Sequence, residues 1–177
     1  MSSDRPLDPI WRAYEIGRDC FKIAKRAVFR QNLQFLNKTD FASVSMRDGA
    51  EWIETSRQAS DDLTIVSLWA TFERHLVQYL QTKSQKLREI EPSELGVRFQ
   101  DRLNEDLERW RPDDILDLFK GQVDSNLIGQ AKQIKDYRDW IAHKNPRRQP
   151  PAKIEANRAH IVLSQIIEGI LLAETAS

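Results

Sequence analysis

Residues 65–79 read IVSLWATFERHLVQY, and this stretch decides the fold class. Its large apolar residues follow one another at steps of four, three, four and three: Ile65, Trp69, Phe72, Leu76 and Tyr79. Because an α-helix has about 3.6 residues per turn, this spacing places the five side chains in one apolar stripe along a helix. We expect a long helix from Asp61 to Ile90, with Ser60 and Asp61 as its N-terminal cap.

The same spacing predicts further helices over residues 8–35, 92–110, 113–121, 126–142 and 153–174. Residues 37–60 are the least periodic part of the chain, and we expect an irregular crossing with one helical turn near residues 50–54. The six glycines and seven prolines are too few for the frequent turns of a sandwich or barrel. The sequence therefore predicts one all-α domain over residues 1–177, an up-and-down bundle of five or six helices with residues 1–7 as a flexible tail.

Composition limits the function. The chain has 27 Lys and Arg against 27 Asp and Glu, so its net charge is zero and a nucleic-acid partner must contact a local patch. Its single cysteine, Cys20, excludes an intramolecular disulfide and a thiolate zinc site. We find no metal-ligand spacing, no leader and no apolar run long enough for a membrane span. We therefore expect a cytoplasmic protein without metal, cofactor or membrane partner.

One arginine interrupts an apolar pattern. In the helix predicted over residues 126–142 the stripe positions are Leu127, Ala131, Ile134, Arg138 and Ile141. An arginine keeps its charge when buried and needs a carboxylate, carbonyl groups or a bound anion. Two alternatives follow: an internal ion pair with Glu73 or Asp139, or a guanidinium that holds a phosphate.

His143 lies five residues later, at the predicted end of that helix. The helix dipole favours a protonated ring there, so His143 can serve as a proton exchanger or simply as a helix cap. On an ideal helix, two side chains that are five residues apart in the sequence point in directions about 140° apart. They converge only if the helix unwinds, or if a two-fold axis brings two copies of the pair into one cleft.

The segment that follows holds four basic residues and no acid. Lys144, Arg147, Arg148 and Lys153, together with Asn145, can contact an RNA backbone, or they can form a solvated connector stiffened by proline. The last predicted helix is apolar on two sides, which suggests that a second copy of the chain covers one of them.

The run Arg138-Asp139-Trp140-Ile141-Ala142-His143 resembles the R-x4-6-H motif of the HEPN superfamily of small α-helical domains. The upstream run Leu68-Trp69-Ala70-Thr71-Phe72-Glu73 is similar to the corresponding helix of such proteins. The resemblance covers roughly residues 61–173. Asn145 departs from it, since some toxins of the family carry a tyrosine there.

The resemblance implies a metal-independent endoribonuclease whose site forms in a homodimer. Arg138 would then bind the scissile phosphate, His143 would exchange protons, and Asp139, with Glu73, would support them. It also implies RNA as substrate and a role as a toxin or phage-defence effector, with an antitoxin or defence-system protein as partner. Two alternatives remain: a non-catalytic module that binds RNA, a nucleotide or a protein, and a helical interaction protein in which Arg138 only pairs with Glu73.

Overall fold

The computed structural model describes residues 5–143 and 149–175. Within these residues it contains no β-strand, which confirms the all-α prediction. Seven α-helices are present in the described residues: α1 Asp8–Phe29, α2 Leu33–Leu36, α3 Met46–Ser84, α4 Ser93–Leu107, α5 Pro112–Asp117, α6 Ser125–His143 and α7 Ala156–Thr175. None of the helices in this part of the chain has the length and apolar character that a membrane crossing requires.

The first predicted helix is two helices, which accounts for a count above five or six. Helix α1 ends at Phe29, because Gln31 takes a left-handed conformation with φ of 47° that an α-helix cannot continue through. The chain resumes as the four-residue α2. At the other end, Leu7 is only 1% exposed, so the prediction of a tail over residues 1–7 is wrong at this residue. Its burial in the main core fixes the start of α1.

Helix α3 begins fifteen residues earlier than predicted and spans 39 residues. Its N-cap is Ser45, whose hydroxyl accepts a hydrogen bond from the Asp48 amide and donates one to the Asp48 carboxylate. The predicted cap at Ser60 and Asp61 is wrong. The irregular crossing predicted over residues 37–60 is present over residues 37–45 and wrong from Met46 onward, where α3 begins. Before Ser60, helix α3 buries only Gly49 and Ile53, so the sequence there has no apolar periodicity. Ile53 packs instead into a small separate cluster with Val28 and Leu36.

The main core forms where α3 meets α1, α6 and α7. Helix α3 contributes five side chains that are at most 2% exposed: Ile65, Leu68, Trp69, Phe72 and Leu76. Helix α7 buries Val162, Leu163, Ile166, Ile167 and Ile170. Leu172 of α7 is 70% exposed, so part of the second apolar side of this helix faces away from the core.

His160 of α7 is a titratable group inside the contact between α1 and α7. Its ring stacks on Trp11 with centroids 4.5 Å apart, and its Nε2 is buried without a hydrogen-bond partner in the described residues. Burial lowers the pKa of His160 below its ordinary value, although the carboxylates of Asp8 and Glu15 act in the opposite direction. The folded protein therefore favours the neutral ring.

This burial predicts a pH dependence of stability. Below about pH 6.5 the unfolded chain takes up a proton that the folded chain resists, so the free energy of unfolding falls as the pH drops from about 7 to 5. We expect His160→Phe, which keeps an aromatic ring against Trp11, to reduce this fall. Urea denaturation of both proteins across that range measures it. An equal fall in both proteins would contradict the assignment to His160.

Candidate functional site

Arg138 lies on the face of α6 that meets α3. Its Nη2 donates a hydrogen bond to Oε2 of Glu73 at 3.0 Å, and its Nη1 donates to Oδ1 of Asp139 at 2.8 Å. The Arg138 side chain is 24% exposed. Both carboxylate partners proposed from the sequence are therefore present at once, and the guanidinium is partly accessible to solvent.

Trp69 completes the surroundings of this guanidinium. The Trp69 ring centroid lies 5.8 Å from the guanidinium carbon, within the range of a cation–π contact. The indole Nε1 donates to the same Glu73 oxygen at 3.1 Å. Glu73 is therefore held by α3 itself, one helical turn after Trp69, and it presents an oriented acceptor to Arg138.

Lys135 extends the cluster toward α5. Its Nζ lies 3.3 Å from a carboxylate oxygen of Asp113, 3.3 Å from one of Asp136 and 3.5 Å from Oδ2 of Asp139. Burial by itself lowers the pKa of Lys135, but the neighbouring carboxylates outweigh burial and leave the pKa raised. The lysine therefore stays protonated and offsets part of the negative charge around Arg138.

His143 is exposed and is the last residue of α6. It lines a cleft of about 700 Å³ together with Lys135, Asp136, Asp139, Trp140, Gln149 and Pro151. Arg138 is not among the described residues that line this cleft. Asp139 is the link, since it accepts a hydrogen bond from Arg138 and also lines the cleft that holds His143.

The predicted RNA-contacting residues divide into two groups. Lys144, Asn145, Arg147 and Arg148 lie outside the described residues. Lys153 is exposed and lines a different cleft, of about 350 Å³, with Tyr14, Arg18 and Arg57. The structure therefore does not bring Lys153 together with His143.

Two adjacent carboxylates of α3 tie the neighbouring helices to it. Asp61 accepts a hydrogen bond from the Tyr14 hydroxyl of α1 at 2.8 Å, and Asp62 accepts one from the Tyr137 hydroxyl of α6 at 3.0 Å. Burial, and then each hydrogen bond, raises the pKa of both tyrosines to about 12. Sequence analysis missed these pairs because it placed Asp61 at a helix start. In the sequence, the signal for these tyrosine–aspartate pairs is two adjacent carboxylates next to the apolar stripe of a helix.

No group of three or more His, Cys, Asp or Glu side chains in the described parts of the chain could hold a metal ion. Comparisons with known proteins give no relative: no family model, no curated protein and no solved structure matches this chain.

The contact between Arg138 and Glu73 predicts a measurable coupling. Because a hydrogen bond to a charged group contributes about 1.5 to 3 kcal/mol, we expect Arg138→Ala and Glu73→Gln each to destabilise the fold by about 1 to 3 kcal/mol. The double variant should fall short of their sum by about 1 kcal/mol. Urea denaturation of the four proteins measures this coupling.

The exposed pair Arg74–Glu108 is the matched control, because its N–O distance of 2.9 Å is similar and its setting is more solvated. Its coupling should be clearly smaller than that of Arg138 and Glu73, because solvent screens an exposed ion pair. Full additivity of the Arg138 and Glu73 substitutions would mean that the two side chains do not interact in solution.

Proposed function

We propose that this chain is a metal-independent endoribonuclease of the HEPN type that acts as a homodimer. One observation carries the proposal: Asp139 joins a partly exposed, oriented Arg138 to a cleft lined by an exposed histidine at the end of the same helix. Metal-free RNA cleavage uses a cation that binds the phosphate and a side chain that takes up and releases protons.

In the proposed reaction, Arg138 donates hydrogen bonds to non-bridging oxygens of the scissile phosphate. His143 removes the proton of the 2′-hydroxyl, the 2′-oxygen attacks phosphorus, and the bond to the 5′-oxygen breaks. A protonated histidine supplies the proton that the leaving 5′-oxygen takes up. The products are a 2′,3′-cyclic phosphate and a 5′-hydroxyl.

A phosphate must compete with carboxylates for Arg138. Glu73 accepts a hydrogen bond from Trp69, which holds its carboxylate in place against Nη2 of Arg138. Asp139, at 38% exposure, is the more solvated of the two carboxylates and the one that substrate displaces. Such exchange preserves the orientation of the guanidinium while freeing Nη1 for a phosphate oxygen.

The homodimer is part of the proposal because Arg138 is not among the described residues that line the cleft of His143. A two-fold axis near the end of α6 lets each copy complete the other's site. In the sequence, Lys144, Asn145, Arg147 and Arg148 lie within five residues after His143, and we expect them to contact the RNA backbone. A role as a toxin or phage-defence effector, restrained by an antitoxin or another defence protein, accords with this activity.

Substitution of the two proposed catalytic residues tests the activity. We expect Arg138→Ala and His143→Ala each to lower RNA cleavage in EDTA at least about 100-fold, the range that general acid–base and electrostatic contributions reach. Gel analysis of end-labelled RNA measures the rate, and the cyclic phosphate identifies the mechanism. Arg74→Ala, an exposed arginine of α3, and Gln133→Ala, an exposed residue of α6, are the matched controls. Cleavage that persists in both folded active-site variants would contradict the proposal.

A second candidate is a non-catalytic module that binds RNA, a nucleotide or a protein through the same cleft. One observation favours it: Arg138 already donates hydrogen bonds to two carboxylates, whose negative charges offset the positive charge of the guanidinium. Binding of RNA by the wild-type protein, measured by fluorescence anisotropy, without any cleavage would select this candidate. Binding should then weaken in His143→Ala more than in Gln133→Ala.

A further inference from the structure

An apolar groove of about 530 Å³ lies where the end of α1 meets α2. Its apolar lining includes Cys20, Ile23, Ala27, Phe35 and Leu36. Ile23 is 64% exposed and Phe35 is 69% exposed, which is unusual for side chains of this size. The groove is remote in sequence from Arg138 and His143, and neither residue lines it.

The groove continues as a stripe along α1. Ile16, Cys20, Ile23 and Ala27 follow one another at steps of four, three and four. The first three are exposed, and Ala27 is half-buried beside the small cluster of Val28, Leu36 and Ile53. The twelve residues from Ile16 to Ala27 span about 16 Å, or three turns. A surface of this shape fits the apolar face of another helix.

The charge around the groove narrows the choice of occupant. Residues 18–38 contain six basic residues and one acidic residue, a net charge of +5 within a chain whose total is zero. Arg26 and Arg30 line the groove, and neither forms an ion pair with any of the described residues. The occupant must therefore combine apolar side chains with negative charge.

Helix α4 of this same chain has those properties. It packs on α3 and on the 3-10 turn Gln85–Glu89, whereas Leu95 and Phe99, one turn apart, are 53% and 57% exposed. Helix α4 contains four acidic and two basic residues, a net charge of −2: Glu94, Asp101, Glu105, Asp106, Arg98 and Arg102. Arg102 pairs with Glu105 and Asp106, so Glu94 and Asp101 are the carboxylates of α4 that form no ion pair with any of the described residues. It is an acidic helix with an unpartnered apolar face.

We propose that α4 of a second copy docks into the α1–α2 groove, with Leu95 and Phe99 on its apolar floor and the carboxylates of Glu94 and Asp101 near Arg26 and Arg30. The groove and α4 are different surfaces, so each chain offers both, and every contact joins the groove of one copy to α4 of another. It uses none of the residues proposed for catalysis. A negative result for this contact would therefore leave the ribonuclease proposal unaffected, and loss of the ribonuclease proposal would leave this contact unaffected.

Cys20 reports on whether the groove of one chain is covered by α4 of another. It is the only cysteine of the chain, it is exposed, and it lines the groove. The reporter is the full chain with Phe99→Ser, which keeps the groove and disables α4. The protector is the full chain with Cys20→Ser, which keeps α4 and cannot react. Alkylation of the reporter by N-ethylmaleimide is followed by mass spectrometry as the protector concentration rises, with circular dichroism to verify that every chain is folded.

We expect the alkylation rate to fall saturably, about fivefold once the protector reaches about four times its Kd. Adding Phe99→Ser to the protector should abolish protection, whereas adding Leu172→Ser, an equally exposed apolar residue of α7, should not. A reporter that carries Arg26→Glu and Arg30→Glu should lose protection as well.

Two results would overturn the proposal. One is no protection up to about 1 mM protector, which corresponds to negligible affinity. The other is protection that survives Phe99→Ser in the protector. Vesicles of anionic phospholipid that protect Cys20 where the protector chain does not would assign the groove to a lipid surface instead.

Discussion

Helix α3 has to bury its aromatic face against three other helices at once, and the rest of the structure depends on this packing. Trp69 and Phe72 are 1% and 0% exposed, and their rings lie 5.6 Å apart in a tilted pair. Helices α1, α6 and α7 close around them. The hydrogen bonds from Tyr14 to Asp61 and from Tyr137 to Asp62 then fix how α1 and α6 lie against this helix.

The same packing determines the chemistry of the candidate site. Glu73 follows Phe72 directly, so burial of Phe72 sets the position of the carboxylate that receives Arg138. Trp69 contacts both members of that pair. The end of α6 is thus held at its arginine, while its last residue, His143, remains exposed to solvent. The proposed function depends on this fixed arginine and on the exposed histidine at the end of the same helix.

Helix α6 was predicted over residues 126–142 and observed as Ser125–His143, because its apolar spacing and the following proline are local signals. The first part of α3 lacked such a signal, since only Gly49 and Ile53 are buried there. For the site, Glu73 and Asp139 were both anticipated as partners of Arg138. The contact with Trp69 and the separation of Lys153 from His143 depend on how distant helices pack, which residue spacing alone does not encode.

The central claim is that two copies of the chain assemble so that Arg138 and His143 act in one site. The most direct measurement is an experimental structure of the oligomer with an RNA whose 2′-hydroxyls are replaced by 2′-O-methyl groups, which blocks cleavage. The account predicts that the ends of two α6 helices line a common cleft, with a phosphate within hydrogen-bond distance of Arg138 and beside His143. An oligomer whose α6 ends face away from each other, with Arg138 still held by Glu73 and Asp139 and no RNA nearby, would contradict it.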